Sequence, residues 1–418
     1  MKDVKKISYD GYKYIEGGVC AAKGFRANGL YSGIKANPSE KYDLCLVVSD
    51  VLCNAAGVFT QNKVQAAPVT VSKSHLKSTG GKAKAFILNS KNANACNPDG
   101  IEKSEKMCSL AAERLCIPSE QVLIAQTGVI GQTMPIEPIE NNIDSLVYGL
   151  SENGNEKAAI AIMTTDTVKK EVAVEFTLGG KVCHLGGMGK GSGMICPNMA
   201  TTVNVITTDC AITSEMLQKA LSDVVKVTYN CLYVDGDQST NDTCAVMANG
   251  LAENALIDSE NEDYAVFKQA LYIVMSNITK LLAKDGEGAP KLLECNVTGA
   301  KTEKDALAVA KSVISSDLLK CAMFASDANV GRIACAIGYA DADFDPTGFS
   351  VVLESSKGSI KFFEKGAIMP FSEDEAAEML SDDEIKINVA LSDGDAKATA
   401  WGCDLTYEYI KINADYRT

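Results

Sequence analysis

The sequence predicts a layered fold that mixes α-helices and β-strands, of the α/β or α+β class. Segments with strand-like alternation occur along the whole chain, and segments with helical periodicity lie between them. Several strand segments follow one another without an intervening helix, and no internal repeat or low-complexity linker interrupts the order. This order favours an α+β fold or a layered sandwich over a doubly wound sheet.

The first half of the chain alternates between predicted strands and helices. Three short strands separated by polar turns are predicted between residues 44 and 72, in LCLVVSD, AAGVFT and APVTVS, and KAKAFILNS adds a fourth. Helical periodicity follows at 101–115 and near 139–150. Between these helices, QVLIAQTG predicts a buried strand that runs into Gly128. Residues 157–163 lead to a cluster of threonines, Thr164, Thr165 and Thr167.

The second half contains a glycine-rich stretch, several helices and a C-terminal meander. The stretch GGMGKGSGMICPNMATT at 186–202 lies between two predicted strands, KEVAVEFTL and TVNVITTD. Helices are predicted at 214–227, 263–282 and 302–315. PFSEDEAAEML adds a helix capped by Ser372, with Glu375 completing a capping box. The segments KLLECNVTGA, 349–353, IKINVAL, AKATAW and LTYEYIKI predict the remaining strands.

Composition and charge exclude several classes of protein. The chain has 418 residues, of which 46% are hydrophobic and 22% charged, so it is not a disordered or collagen-like sequence. Its formal net charge of −14 disfavours binding to nucleic acid or to an anionic membrane. The longest apolar runs are far shorter than the roughly 20 residues of a membrane span. Because the N-terminal segment is also polar, we expect a cytoplasmic protein that acts on a small molecule.

Neither cysteine nor histidine suggests an evident catalytic centre. The fifteen cysteines include no CxxC pair, so we expect mainly buried, reduced thiols, with one reactive thiol or a metal site as the minor alternative. His75 and His184 are the only histidines, and both have the surroundings of structural residues. A catalytic base, if there is one, is therefore expected to be a group other than histidine.

The glycine-rich stretch does not match a nucleotide-binding loop, because Gly191 follows Lys190 where a Walker motif requires Ser or Thr. It ends instead at Ala200 and Thr201, on the edge of a predicted strand. Attack of the Thr201 hydroxyl on the Ala200 carbonyl, followed by hydrolysis, would leave Thr201 with a free α-amine. Such an amine has a pKa of about 7.7–8.0 and could act as the base for its own hydroxyl. An ordinary turn into a strand is the alternative.

Long motifs resemble the ornithine acetyltransferase family, the bifunctional glutamate N-acetyltransferases of arginine biosynthesis. KGSGMICPNMATT resembles the self-cleavage sequence of that family. The resemblance covers nearly the whole chain and includes GGVCAAKGFRANGLYSGIK, NSKNANAC, QTGVIGQTMP, MTTDT, VDGDQSTNDT, DGEGAPK and WGCDLTYEYIKINADYRT. One departure is Lys91, which stands where the family pattern NSGNANA has glycine.

The resemblance implies self-cleavage between Ala200 and Thr201, giving chains 1–200 and 201–418 that assemble further, as a heterotetramer of two copies of each. It implies a layered α/β sandwich in which strands of both chains interleave. Thr201 would be the nucleophile, and Thr127 and Gly128 the oxyanion hole. Substrate contacts would come from Thr164, Lys190, Thr201, Glu287, Asn413 and Thr418.

The implied reaction moves an acetyl group from N2-acetylornithine to glutamate through acetyl-Thr201. It needs no metal or organic cofactor, and the sequence leaves open whether acetyl-CoA is a second acetyl donor. From the charges of the substrate, we expect Lys190 to bind its carboxylate and Glu287 its ammonium group. Two alternatives are a hydrolase or aminopeptidase with the same N-terminal nucleophile, in which water removes the acyl group, and a non-catalytic thiol-rich binding protein.

Overall fold

The computed structural model describes residues 4–34, 42–196 and 202–416, which form two β-sheets surrounded by helices. The strands are β1 (Lys13–Ile15), β2 (Phe25–Leu30), β3 (Leu44–Phe59), β4 (Lys82–Asn89), β5 (Val122–Gln126), β6 (Lys170–Leu178), β7 (Lys181–Lys190), β8 (Val203–Thr208), β9 (Leu232–Tyr233), β10 (Thr243–Ala248), β11 (Leu292–Ala300), β12 (Ser350–Ser355), β13 (Gly358–Glu364), β14 (Ala367–Ile368), β15 (Glu384–Ala390) and β16 (Ala396–Cys403). The helices are α1 (Ala67–Ser78), α2 (Gly100–Leu115), α3 (Glu137–Tyr148), α4 (Asn155–Ala161), α5 (Ser214–Lys226), α6 (Glu262–Lys284), α7 (Glu303–Ser315), α8 (Asp317–Phe324), α9 (Val330–Gly338), α10 (Glu373–Leu380) and α11 (Tyr407–Asp415).

The first sheet combines strands from both halves of the sequence. Its order is β1-β6-β7-β8-β10-β3-β4-β5, with β2 paired to β3. β8 and β10 come from the second half, and they lie between β7 and β3 of the first half. The expected interleaving of strands is therefore present in this sheet, and the expected layered α/β class is confirmed.

The second sheet comes entirely from the second half, in the order β14-β13-β12-β15-β11-β16-β9. Helix α6 joins the two sheets, since it contacts β6 and β7 of the first and β11 and β16 of the second. Every residue of α6 from Ile273 to Lys284 is buried. A helix that is buried on all sides belongs to the centre of a protein, and the end of α6 accordingly lies deep between the sheets.

Several predicted boundaries are correct, and three predicted elements are wrong. Ser372 caps α10 as expected, accepting a hydrogen bond from the Glu375 N–H. The two expected strands within 44–59 are one strand, β3, which continues through a register shift between Val48 and Cys53. Residues 67–72 begin helix α1, whose first turn contains Pro68. A proline in the first helical turn is well tolerated, because its missing N–H has no partner there.

The third wrong element is the last predicted strand, LTYEYIKI. Residues 407–415 form α11, in which no residue is buried. Exposed helices carry few apolar positions, so the alternation of Leu405, Tyr407 and Tyr409 imitated a strand. This helix docks at Gly288, whose φ is +68° and where a Cβ atom would lie 2.7 Å from the backbone nitrogen of Tyr409.

The start of the glycine-rich stretch is a strand rather than a loop, because β7 runs to Lys190. A Cβ atom on Gly186 would lie 1.9 Å from the carbonyl oxygen of Gly18. On Gly189 it would lie 2.3 Å from Oδ1 of Asn204 on β8. These glycines allow neighbouring chain segments to approach closely, and the loop proper begins at Gly191.

Both histidines are structural. His75 is buried and its ring contacts the Val122 carbonyl oxygen at 2.8 Å and Glu105 at 3.1 Å. His184 lies 2.7 Å from Asp209, and this hydrogen bond raises the pKa of His184 although burial opposes the shift. The fifteen cysteines all lie among the described residues and form no disulfide, and most are buried, as expected for small apolar residues. None of the described helices combines the length and the apolar character needed to cross a bilayer.

A buried ion-pair network fixes the segments next to the glycine-rich loop. The Lys170 amine donates to Asp166 Oδ1 at 2.5 Å and to Asp285 Oδ2 at 2.8 Å, and all three side chains are fully buried. Asp166 also accepts the Gly191 N–H at 2.8 Å. Asp285, directly after α6, accepts the Thr167 N–H at 2.9 Å. One lysine thus connects β6, the loop before it and the end of α6.

We expect Lys170→Met to destabilise the protein by about 3–5 kcal/mol, because removing one partner of a buried ion pair leaves the other charges uncompensated. The neighbouring Lys169→Met is the matched control. Lys169 is partly exposed and pairs with Glu156 and Glu171, so its loss should change the unfolding free energy by about 1 kcal/mol or less. Urea denaturation measures both, and equal effects of the two substitutions would contradict the role given to Lys170.

Candidate functional site

One cleft contains six of the residues expected from the sequence. Its wall includes Thr127, Gly128, Thr164, Lys190, Glu287 and Asn413. The remaining three, Ala200, Thr201 and Thr418, lie outside the described residues. The space in the cleft that water can occupy is ≈ 150 Å³.

The end of β5 provides two hydrogen-bond donors. The Thr127 N–H is used by the carbonyl oxygen of Asn89 at 3.0 Å, so the donor that Thr127 can offer to the cleft is its hydroxyl. Within 4–34, 42–196 and 202–416, no backbone carbonyl accepts the Gly128 N–H. The donors that this end of β5 offers to the cleft are therefore the Thr127 hydroxyl and the Gly128 N–H.

Glycine is required at position 128. Its φ is +133°, and a Cβ atom would lie 2.2 Å from the carbonyl carbon of Lys91. Lys91 itself has a φ of +80°, in the left-handed region that favours glycine. This explains in physical terms why the family pattern has glycine at position 91, and the lysine found there occupies the same turn.

Lys190 ends β7 and points toward the oxyanion residues. Its amine donates to Thr127 Oγ1 at 3.3 Å, and its backbone pairs with Val203 at the start of β8. Burial lowers the pKa of Lys190, while the nearby carboxylate of Asp166 acts in the opposite direction. Burial by itself would raise the pKa of Asp166. The charges of Lys170 and Lys190 outweigh this effect and hold the pKa of Asp166 well below its usual range. Asp166 also accepts the Thr164 N–H at 3.0 Å and so positions that residue.

Glu287 also lines the cleft. Asn413 on α11 donates to Glu287 Oε2 at 2.8 Å, and the Glu287 N–H donates to the Ser192 carbonyl oxygen at 3.0 Å. A Cβ atom on Gly193 would lie 2.4 Å from the Glu287 carboxyl carbon, so the glycine-rich loop packs directly on this carboxylate. The described wall of the cleft therefore carries the amine of Lys190 and the carboxyl groups of Glu287 and Asp242.

The chain re-enters the cleft immediately after residue 201. Thr202 and Val203 line the cleft, and Thr202 is buried. Its carbonyl oxygen accepts the Thr243 N–H at 3.0 Å, which fixes the start of β8 against β10. Residue 201, which directly precedes Thr202 in the sequence, lies outside the described residues.

Sequence reasoning missed three buried charges at the site, Asp166, Asp242 and Asp285. Asp242 lines the cleft, and burial raises its pKa well above the usual range, against a Ser239 hydrogen bond and the Lys190 charge. Each of the three lies in one of the motifs MTTDT, VDGDQSTNDT and DGEGAPK, so the motifs themselves could have pointed to these residues. The motifs do not show, however, that the three side chains are buried.

One group of potential metal ligands lies among the described residues, formed by Cys183, Asp209 and Cys210, whose ligand atoms are within 4.8 Å of one another. None of the three lines the cleft. The Asp209 carboxylate already accepts N–H groups of Lys23 and His184, and burial raises the pKa of Cys210. A protonated thiol is a poor metal ligand, so this group is better explained as part of the core.

Comparisons with known proteins give a consistent result. The ArgJ family model matches residues 26–418. The arginine biosynthesis bifunctional protein ArgJ of Caldanaerobacter subterraneus subsp. tengcongensis is 46% identical over 97% of this chain and 99% of its own length. ArgJ 1 of Clostridium acetobutylicum, also named an arginine biosynthesis bifunctional protein, is 48% identical over 94% of this chain and 96% of its own length.

Among solved structures, the arginine biosynthesis bifunctional protein argJ of Bacillus halodurans is similar at 44% identity. The match covers 50% of this chain and 97% of that chain, with a TM-score of 0.48. The match of the family model over nearly the whole chain, with relatives at this level of identity, confirms the family expected from the motifs: the chain belongs to the ArgJ family.

Proposed function

We propose that this enzyme cleaves itself between Ala200 and Thr201 and then transfers an acetyl group from N2-acetylornithine to glutamate. The observation that carries the proposal is the cleft, which combines two oxyanion donors, a lysine, a glutamate and the start of β8. The relatives' names place them in arginine biosynthesis and describe them as bifunctional. A chain of the same family with this cleft is expected to act on substrates of that pathway.

In the first half-reaction, Thr201 Oγ attacks the acetyl carbonyl of N2-acetylornithine while the Thr201 α-amine accepts the hydroxyl proton. The Thr127 hydroxyl and the Gly128 N–H would stabilise the negative charge on the tetrahedral oxygen. The C–N bond then breaks, the leaving amine takes the proton, and ornithine departs from acetyl-Thr201.

In the second half-reaction, the glutamate amine attacks acetyl-Thr201, the C–O bond breaks, and the proton returns to Thr201. The products are N-acetylglutamate and the free enzyme. Every proton transfer uses groups of the chain or the substrates, so the scheme needs no cofactor. Acetyl-CoA remains an alternative donor, because its thioester could acetylate the same hydroxyl.

Charge complementarity supports the orientation of the substrate. Lys190 lies beside the oxyanion donors and suits the α-carboxylate of an N2-acetylated amino acid. Glu287, held by Asn413, suits the ammonium group at the far end of the side chain. Thr164, Thr201 and Thr418 are proposed as further substrate contacts.

Strand order supports assembly of the two proposed chains. A cut after residue 200 would leave β8 and β10 hydrogen-bonded to β7 and β3, so chains 1–200 and 201–418 would remain associated. The proposal includes the heterotetramer, two copies of each chain, that the family resemblance implies.

The mass of the denatured protein tests cleavage and acetylation together. We expect two chains with the masses of 1–200 and 201–418, and brief exposure to N2-acetylornithine without glutamate should add one acetyl group to the second. Thr201→Ala should stay uncut and inactive, whereas Thr201→Ser should cut and turn over more slowly. A cut and active Thr201→Ala protein would contradict the proposal. Rapid loss of the acetyl group to water, without glutamate, would favour the hydrolase alternative.

Removing the hydroxyl of Thr127 tests the oxyanion assignment. Thr127→Val should lower kcat/KM by about 10²–10³-fold, since one oxyanion donor is lost in a site that excludes water. Thr127→Ser keeps the hydroxyl and should retain most of the activity. Steady-state kinetics on the cleaved enzyme measure both, and full activity of Thr127→Val would disprove this role.

Neutralising Glu287 tests the binding of the ammonium end. Glu287→Gln should raise KM for N2-acetylornithine by about tenfold, the loss expected for a charge-assisted contact. Self-cleavage should be unaffected. Glu408→Gln, at an exposed site on α11 that pairs with Lys411, is the matched control and should change neither value. If Glu287→Gln also prevented cleavage, Glu287 would have a structural role instead.

A further inference from the structure

A second cavity lies at an uncovered edge of the seven-stranded sheet. β9 pairs with β16 only at Trp401 and Gly402, so 397–399 lies along a part of the β16 edge that no described strand covers. Helices α6 and α7 and the end of α5 surround this edge, and the space there that water can occupy is ≈ 820 Å³, compared with ≈ 150 Å³ in the cleft. The two cavities share no lining residue.

The charge of the cavity is opposite to that of the chain. Lys226, Lys304, Lys311 and Lys397 line it, with Glu303 as the acidic lining residue, in a protein whose formal net charge is −14. Among the described residues, no carboxylate forms an ion pair with Lys304, Lys311 or Lys397, and Lys226 contacts only Asp223. Like charges held close together repel one another, so an anion placed among these amines would be stabilised.

The floor of the cavity is apolar. Val227 directly follows α5, whose apolar side chains are buried, but Val227 itself is 49% exposed. Leu307 and Tyr272 are partly buried beside it. Asn296 also lines the cavity, where its amide is hydrogen-bonded to Glu294, Asn388 and Thr399. The cavity therefore offers cationic groups and an apolar surface within reach of one ligand, as ligand-binding pockets generally do.

We propose that this cavity binds a nucleoside diphosphate, or a larger molecule that carries one, with its phosphates among Lys304, Lys311 and Lys397 and its base on Val227 and Leu307. Several phosphate charges match several separated amines better than a single carboxylate does. A flat base would cover the apolar surface of Val227 and Leu307. A cationic effector would be repelled by the four lysines.

Titration of the cleaved, assembled enzyme with ADP by calorimetry tests the proposal. The variant Lys304→Ala/Lys311→Ala should bind ADP at least about tenfold more weakly, because two phosphate contacts are lost. Lys357→Ala/Lys361→Ala removes the same charge on the β12–β13 hairpin, outside the cavity, and should bind as the wild type does. Acetyl transfer should persist in both variants, which also shows that both are folded.

Three probes define the ligand class. Adenosine, which lacks phosphates, and inorganic pyrophosphate, which lacks the base, should each bind at least about tenfold more weakly than ADP. Higher salt should weaken ADP binding, as screening of charged contacts requires. The proposal would be overturned by absence of ADP binding or by equal binding to the Lys304→Ala/Lys311→Ala variant. Loss of ADP binding in Lys190→Ala alone, which would place the nucleotide in the catalytic cleft, would also overturn it.

Discussion

The buried amine of Lys170 is the constraint on which the geometry of the cleft depends. A charge inside a protein is tolerated only when paired, and Lys170 is paired twice, with Asp166 and Asp285. Each carboxylate in turn binds backbone N–H groups of a loop that reaches the cleft. The loop at 164–168, the turn at Gly191 and the end of α6 are therefore held in one arrangement. Glu287, two residues after Asp285, takes its position from the same network.

The titratable groups of the cleft are shifted in different directions. Burial lowers the pKa of Lys190 and raises that of Asp242, whereas the charges of Lys170 and Lys190 lower that of Asp166. Such divergence within one cavity is characteristic of functional sites. The different shifts arise in a shared environment, since one buried cation, Lys190, acts on the carboxyl groups of both Asp166 and Asp242.

Sequence reasoning predicted much of this site, and the reasons for its failures are physical. Thr127, Lys190 and Glu287 could be named because the motifs that carry them are long and specific. The helices α5 and α7 could be placed because their apolar faces are regular. Residues 67–72 and 405–412 were assigned to strands because short apolar alternations do not distinguish an exposed helix from a strand. The role of Lys170 could not be foreseen, since its partner Asp285 lies 115 positions away in the sequence.

The placement of β8 and β10 inside the sheet built by the first half has a consequence for folding. While the chain is continuous, all strands of this sheet belong to one molecule, and their pairing is a first-order process. A cut after residue 200 would turn the same pairing into an encounter between two chains, with a rate that depends on concentration. Each separated chain would also expose unpaired strand edges, which favour aggregation. The two cut chains would then stay together because they dissociate slowly, and not because they refold reversibly.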